Sequence, residues 1–151
     1  MEIERKFLVK HLPNLSNYTS KHITQAYIST MPVIRIRQAD TKYFLTIKSK
    51  GSISREEYEM SITEQEFHSL WQKIDGSPIE KTRYLIPLTD HLTAELDVFS
   101  GHLEGLTTVE VEFASLEEAN AFIAPDWFGD DISLDHRYKN NQLALNGLPE
   151  H

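Results

Sequence analysis

The sequence predicts an α+β fold: an eight-stranded antiparallel β-barrel closed into a tunnel, with a charged interior and helices packed outside. Three observations predict it. Successive short segments alternate ionisable with mostly apolar residues at a period of two, the signature of strands. Turn residues separate many of these segments by hairpin-length gaps. Helical periodicity is confined to two or three short stretches between or after the strands.

The opening strand, EIERKFLV, puts Glu2, Glu4 and Lys6 on one face and Ile3 and Phe7 on the other. HITQAYIST, VIRIRQ and KYFLTIKSK follow as a meander, turned at Pro32 and at Asp40-Thr41. Gly51 breaks the run and ISREEYEMSI resumes it. Thr63, with Glu66 three residues on, reads as a capping box. The helix behind it repeats Phe67, Leu70, Trp71 and Ile74 at helical spacing and is ended by Gly76. Strands return in IEKTRYLIPL, TAELDVFS and TTVEVEF. Ser115 caps a second helix, LEEANAFIA, closed by Pro125. The stretch DWFGDDISLDHRYKNNQLALNG reads as a loop and then a short terminal helix. No repeat, low-complexity tract or linker divides residues 1–151, so one domain is expected.

Splitting each strand by parity sorts its charges. Arg35 and Arg37, with Val33, oppose Ile34 and Ile36. Lys48, with Thr46 and Phe44, opposes Leu45 and Ile47. Arg55, Glu57 and Glu59 oppose Tyr58 and Met60, while Lys81 and Arg83 oppose Thr82 and Tyr84. Glu95 and Asp97 oppose Leu96 and Val98; Glu110 and Glu112 oppose Val109, Val111 and Phe113. Arg5, Glu56 and Phe44 are the exceptions. An antiparallel sheet ordinarily turns such a face to water. Here the polar positions are almost purely ionisable, and their sign changes from strand to strand, which favours charged faces turned inward. Ions in a narrow tunnel are costly unless paired or ligated. A polyphosphate with divalent cations has the matching layout, phosphate for guanidinium and ammonium groups, hard cation for carboxylates.

Composition narrows the classes. Of 151 residues, 40% are hydrophobic and 25% charged, as in ordinary globular proteins. The absence of cysteine excludes disulfides and thiolate metal sites and suits a cytoplasmic location. No signal-peptide pattern and no apolar run near the ~20 residues of a membrane span is present. A net charge of -8 leaves no basic excess for nucleic-acid binding. The histidines form no HxH or HxxxH pair for zinc, and DWFGDD lacks the ligand spacing of a calcium loop. Trp71, Trp127, Phe67 and Phe128 are expected to pack helices onto the barrel.

EIERK at Glu2–Lys6 fits the ExExK signature of the CYTH superfamily, the triphosphate tunnel metalloenzymes. RIR at 35–37, TIKS at 46–49, SREEYE at 54–59, EKTRY at 80–84, ELDVF at 95–99, VEVEF at 109–113 and RYKN at 137–140 follow in the family's order. Over nearly its whole length the chain resembles this family, most closely the short bacterial members that include inorganic triphosphatases. The resemblance implies a tunnel-forming barrel and metal-dependent hydrolysis of inorganic triphosphate to diphosphate and phosphate, with Mg²⁺ or Mn²⁺. It implies that Glu2 and Glu4 bind the metal, helped by Glu110 and Glu112, with Glu59 among further acids (Glu57, Glu95, Asp97) whose share in a second metal varies. Lys6, Arg35, Arg37, Lys48, Arg55, Lys81 and Arg83 match the residues that hold triphosphate. Arg137, carried over as a further triphosphate ligand, and Lys139 lie near a C-terminal segment that can close one tunnel mouth.

Tyr27 and Lys6 are the catalytic candidates. Tyr27 has the parity of Gln25 and Ser29, opposite Ala26 and Ile28, and stands where family members carry a tyrosine proposed as the base. A phenol needs neighbouring cations to lower its pKa for that role; a tyrosine merely packed in the wall is the alternative. Adenylyl cyclase, thiamine or nucleoside triphosphatase, and a non-catalytic polyphosphate-binding module stay open beside inorganic triphosphatase. ExExK begins at residue 2, so no preceding segment is expected to shape an adenine pocket. The expected partner is a small-molecule substrate, with neither nucleic acid nor membrane, and a homodimer is left open.

Overall fold

The computed structural model describes residues 2–49, 54–89 and 91–149. Strand β1 (Glu2–Val9) is followed by an antiparallel meander of β2 (Thr19–Thr30), β3 (Val33–Ala39) and β4 (Lys42–Lys48). The next strand comes in two pieces, β5 (Ser54–Arg55) and β6 (Glu57–Ile62). Helix α1 (Glu64–Trp71), β7 (Asp75–Pro87), β8 (Thr93–Ser100), β9 (Thr107–Glu112), α2 (Leu116–Ala121), β10 (Phe128–Asp131) and α3 (Asn140–Asn146) complete the order. Single turns of 3-10 helix lie at Gly101–Leu103 and His136–Tyr138.

Hydrogen bonding runs β1-β9-β8-β7-β2-β3-β4-β6. The circuit closes where β5 returns to β1, pairing Arg55 with Glu2 and Ser54 with Ile3. Read as one interrupted strand, β5 and β6 make this the predicted eight-stave barrel. Two differences raise the strand count to ten. The ladder skips Glu56, and β10, read from sequence as loop, adds itself to β1 beside the seam. β10 is only four residues long and buries Phe128, too little alternation to be read as a strand.

Parity works as predicted: the ionisable rows face in and the aliphatic rows face out. Outward Ile3, Phe7, Leu96, Val109 and Val111 pack with Ala119 of α2 and Phe128 of β10. On the far side, outward Ala26 and Ile36 lie under Phe67, with Leu70 and Trp71 beside it. Trp71 is 5.5 Å from the Phe67 ring and Trp127 is 4.5 Å from Phe128, so both tryptophans pack as expected. A third apolar cluster joins Tyr27, Ile79 and Phe99 to Tyr138 and to Leu143 and Ala144 of α3, which brings the C-terminal segment against one end of the barrel.

Arg5, the exception to parity, is an outward cation with partners of its own. Its guanidinium is 2.7 Å from Asp131 of β10 and donates at 2.9 Å to the carbonyl of Ala119, near the negative end of α2. That engagement within DWFGDD is structural. No described helix is long and apolar enough to cross a membrane.

Some boundaries differ from the reading above. The capping box at Thr63 and Glu66 forms with both hydrogen bonds, but α1 ends at Trp71, capped by Gln72. Gly76 instead lies in β7 at φ 77°, where an added Cβ would stand 2.8 Å from the Ala144 carbonyl oxygen. A glycine is needed there both for the backbone angle and for the close approach of α3. Helix α2 stops at Ala121 because Phe122 is extended, three residues before Pro125. A bulge follows Tyr27, so Ser29 pairs with outward Ile34 and does not share the inward face of Tyr27. The break at Gly51 lies outside the described residues.

Phe67 is 3% exposed beneath α1. Phe67→Ala is expected to lower unfolding free energy in urea by about 3–5 kcal/mol, and Thr63→Ala by about 1 kcal/mol. Equal, small losses from both would mean that α1 is not anchored through Phe67.

Candidate active site

The barrel encloses a cavity of about 790 Å³ whose wall is built by the inward rows. Antiparallel register explains why like rows meet. Glu4 lies opposite Glu112 and Lys6 opposite Glu110 across β1 and β9, while Glu95 lies opposite Glu110 across β8 and β9. Paired residues share a face, so alternation within each strand becomes rings of charge around the bore.

The acids and bases hold one another. Lys48 Nζ is 3.2 Å from Glu2 and 3.7 Å from Glu57. Arg55 reaches Glu2 at 3.0 Å and Glu4 at 3.4 Å. Arg35 lies 3.9 Å from Glu57 and donates to Thr46 Oγ at 3.3 Å. Thr46 in turn donates to Glu59 at 3.2 Å. Arg83 spans two acids, forking onto Asp97 at 2.8 and 2.9 Å and reaching Glu95 at 3.0 Å. Lys6 Nζ is 3.9 Å from Glu110 and donates at 2.6 Å to the carbonyl of Tyr138.

Most of the predicted residues stand on the cavity wall: Glu2, Glu4, Lys6, Tyr27, Arg35, Arg37, Lys48, Arg55, Glu57, Glu59, Arg83, Glu95, Glu110, Glu112 and Lys139. Two predicted triphosphate ligands do not. Lys81 is wholly buried behind the wall, with Nζ 2.8 Å from Asp97, so it reaches the cavity only through the Asp97–Arg83 fork. Its inward parity was read correctly; what parity cannot give is depth, and Phe99 sits over the ammonium, 5.4 Å away. Arg137 is turned to solvent, 57% exposed and bridged to Asp135 at 2.7 Å, because its 3-10 turn presents Tyr138 inward.

The cavity also uses residues that the sequence reading passed over. Gln25 accepts from Arg37, and Ser133, Asp135, Asn140 and Asn141 line the side formed by the C-terminal segment. Gln25 had a usable signal in its strand parity. The C-terminal residues had none, since they stand in loop or at the start of α3, outside the strand alternation that marks the wall.

Electrostatics divides the carboxylates. Burial, reinforced by Glu110 and Glu2, pushes Glu4 up to about 8. Burial alone would raise Glu110 as well, but Lys6, Arg83 and Lys81 hold it well below its ordinary range. Burial opposes ionisation of Glu2 too, and Lys48 with Arg55 overcomes it. Burial and then neighbouring Glu2 and Glu95 raise Glu112. Tyr27 departs from expectation: Arg35 and Arg37 lower it as anticipated, yet burial outweighs them and its phenol lies above the usual range.

The donor set fits a hard divalent cation. Glu2, Glu4, Glu110 and Glu112 offer only carboxylate oxygens from two adjacent strands, and Glu4, raised first by burial and then by Glu110 and Glu2, is a group whose charge a cation would stabilise. No three acids are drawn into a ready cage among the described residues. Glu2 and Glu4 are turned onto Arg55 and would exchange it for the ion.

A carboxyl raised in the fold binds protons that the unfolded chain releases, so its contribution to stability is present at acid pH and lost as pH rises toward 8. In EDTA, wild-type Tm is expected to fall between pH 5 and 8 by a few degrees more than that of Glu4→Gln, read by differential scanning calorimetry. Parallel profiles would contradict a protonated Glu4.

Comparison with known proteins agrees with this geometry. The family model described as the CYTH domain matches residues 1–138. An inorganic triphosphatase of Nitrosomonas europaea is 48% identical over 147 residues, 95% of this chain and 97% of that protein. An inorganic triphosphatase of Acetivibrio thermocellus is 35% identical over 149 residues, 96% and 94% of the two chains. The crystal structure of the inorganic triphosphatase NE1496 superposes with a TM-score of 0.73 at 44% identity, covering 99% of this chain and 97% of that one. HpAC1 of Hippeastrum, at 18% identity and a TM-score of 0.61 over 80% and 83% of the chains, shares the fold. With a domain match over nearly its whole length and relatives that share both sequence and barrel, this chain belongs to the CYTH family.

Proposed function

We propose that this protein hydrolyses inorganic triphosphate to diphosphate and phosphate within the barrel, using Mg²⁺ or Mn²⁺. The observation that carries the reading is the cavity of about 790 Å³ in which guanidinium, ammonium and carboxylate groups converge. The inorganic triphosphatase of Nitrosomonas europaea, 48% identical, supports the choice of substrate.

Arg35, Arg37, Lys48, Arg55 and Arg83, with Lys6, grip the phosphate chain through charge-assisted hydrogen bonds. Their positions are set before substrate arrives by the partners described above, so little reorganisation accompanies charge development in the reaction. Glu2, Glu4, Glu110 and Glu112 are the residues that would hold a divalent cation, with Glu59 the candidate for a second. Such a cation would neutralise and polarise the phosphoryl group under attack. With no cysteine, and no serine with an evident histidine partner, direct attack by water is favoured over a covalent intermediate. Lys81 supports the grip from behind, through Asp97 and Arg83. Lys6 must leave the Tyr138 carbonyl to reach substrate. Tyr27 as base would act chiefly in alkaline solution, since burial holds its phenol protonated near neutrality.

Phosphate release from tripolyphosphate with Mg²⁺ is expected to vanish in EDTA and to fall about 10²–10³-fold in Arg35→Ala or Glu4→Gln. Arg137→Ala is expected to stay within about twofold of wild type, as for a surface change. Product analysis with ATP or thiamine triphosphate in place of tripolyphosphate separates this reading from the other activities of the family. A rate that rises with alkaline pH in wild type but not in Tyr27→Phe, with binding retained, would support the base role; superimposable profiles would assign Tyr27 to the wall.

A further inference from the structure

Arg37 differs from the other arginines of the cavity wall. Arg35, Arg55 and Arg83 each lie within 4 Å of a carboxylate, whereas Arg37 makes no ion pair among the described residues. Its partner is Gln25, directly opposite on β2 and 0% exposed. The Gln25 side-chain oxygen accepts from Arg37 Nε at 3.0 Å and from Nη2 at 2.8 Å. An arginine only donates, so the amide must present its oxygen, and its own nitrogen is left without a partner among the described residues.

A glutamate in this position would form the same fork with a full charge and no orphaned donor. On stability alone it would suit a site where Arg37 is crowded by Arg35 and Arg83. That crowding, after burial, pushes the guanidinium down to about 9, still protonated at neutral pH. The amide does something a carboxylate cannot: it fixes one edge of the guanidinium plane without neutralising it. The remaining N–H donors stay available to an anion in the cavity, and no described carboxylate pairs with the positive charge before that anion arrives, Asp97 favouring it without an ion-pair contact.

We infer that Gln25 is a positioning residue that aims Arg37 into the cavity while reserving its charge for a phosphate group of the substrate. The inference rests on the triphosphate reading of the cavity and adds to it a neutral tether on which affinity depends. Gln25 itself touches no substrate, because it lies behind Arg37 and off the cavity wall.

The test compares wild type, Gln25→Glu and Gln25→Met in tripolyphosphate binding by calorimetry, in steady-state phosphate release with Mg²⁺, and in Tm. In Gln25→Glu, affinity is expected to fall on the order of ten- to a hundredfold, the worth of a hydrogen bond to a charged group, while Tm holds or rises. A merely structural glutamine would instead make affinity and Tm fall together, and that result overturns the inference. So does a Gln25→Glu affinity within about twofold of wild type. Gln25→Met keeps the charge of Arg37 but removes its tether, and is expected to raise KM severalfold in a folded protein. If Gln25→Glu does not fold, an unchanged KM in Gln25→Met overturns the inference. A wild type that binds no tripolyphosphate would fail before any variant is considered and would overturn the cavity reading along with this one.

Discussion

Everything in this barrel depends on keeping ionised side chains together in a confined space. Each ion moved from solvent into such a bore loses several kcal/mol of hydration. The fold offsets that loss by setting acids and bases on adjoining staves, as Lys48 does between Glu2 and Glu57 and Arg83 between Asp97 and Glu95. The outer wall follows from this constraint. If the interior is given over to charge, the apolar core has to form outside, and α1, α2 and β10 are the elements that cover it.

The pairing is uneven, and the unevenness serves the chemistry. Asp97 is saturated by Arg83 and Lys81, so it is fixed scaffolding. Among the described residues Glu4 shares only a long contact with Arg55 and sits among acids, which leaves it ready to trade a proton for another positive partner. Arg37 makes no ion pair among the described residues, and Asp97 favours its charge without touching it. Asp97, answered twice over at the wall's back, holds the shape, and Glu4 and Arg37, with a long or a neutral partner, are the readiest to take a ligand of opposite sign.

Much of this was legible in the sequence because alternation is a geometric code. A period of two in Glu2, Glu4 and Lys6, or in Arg35 and Arg37, states which side chains share a face, and the purity of the ionised rows states which face is inside. The code stops at three places. It gives no depth, so Lys81 read as a wall residue although it lies behind one. It fails at bulges, so Ser29 was placed with Tyr27. It is silent outside the strands, so it could neither test Arg137 as a ligand nor pick out Ser133 and Asn141. The Tyr27 phenol exposes another gap. Its neighbours were foreseen, but the balance between their charge and its burial is a property of the packed molecule.

Along the line of closure between β5 and β1, Arg55 and Glu2 meet twice, as ladder partners and through their side chains. The contacts of Arg55 with Glu2 and Glu4 add a side-chain clasp to that pairing. The stave that shuts the cylinder is therefore fastened by the same groups that receive the ion. Any cation that draws Glu2 and Glu4 off Arg55 would act directly on the seam of the hoop.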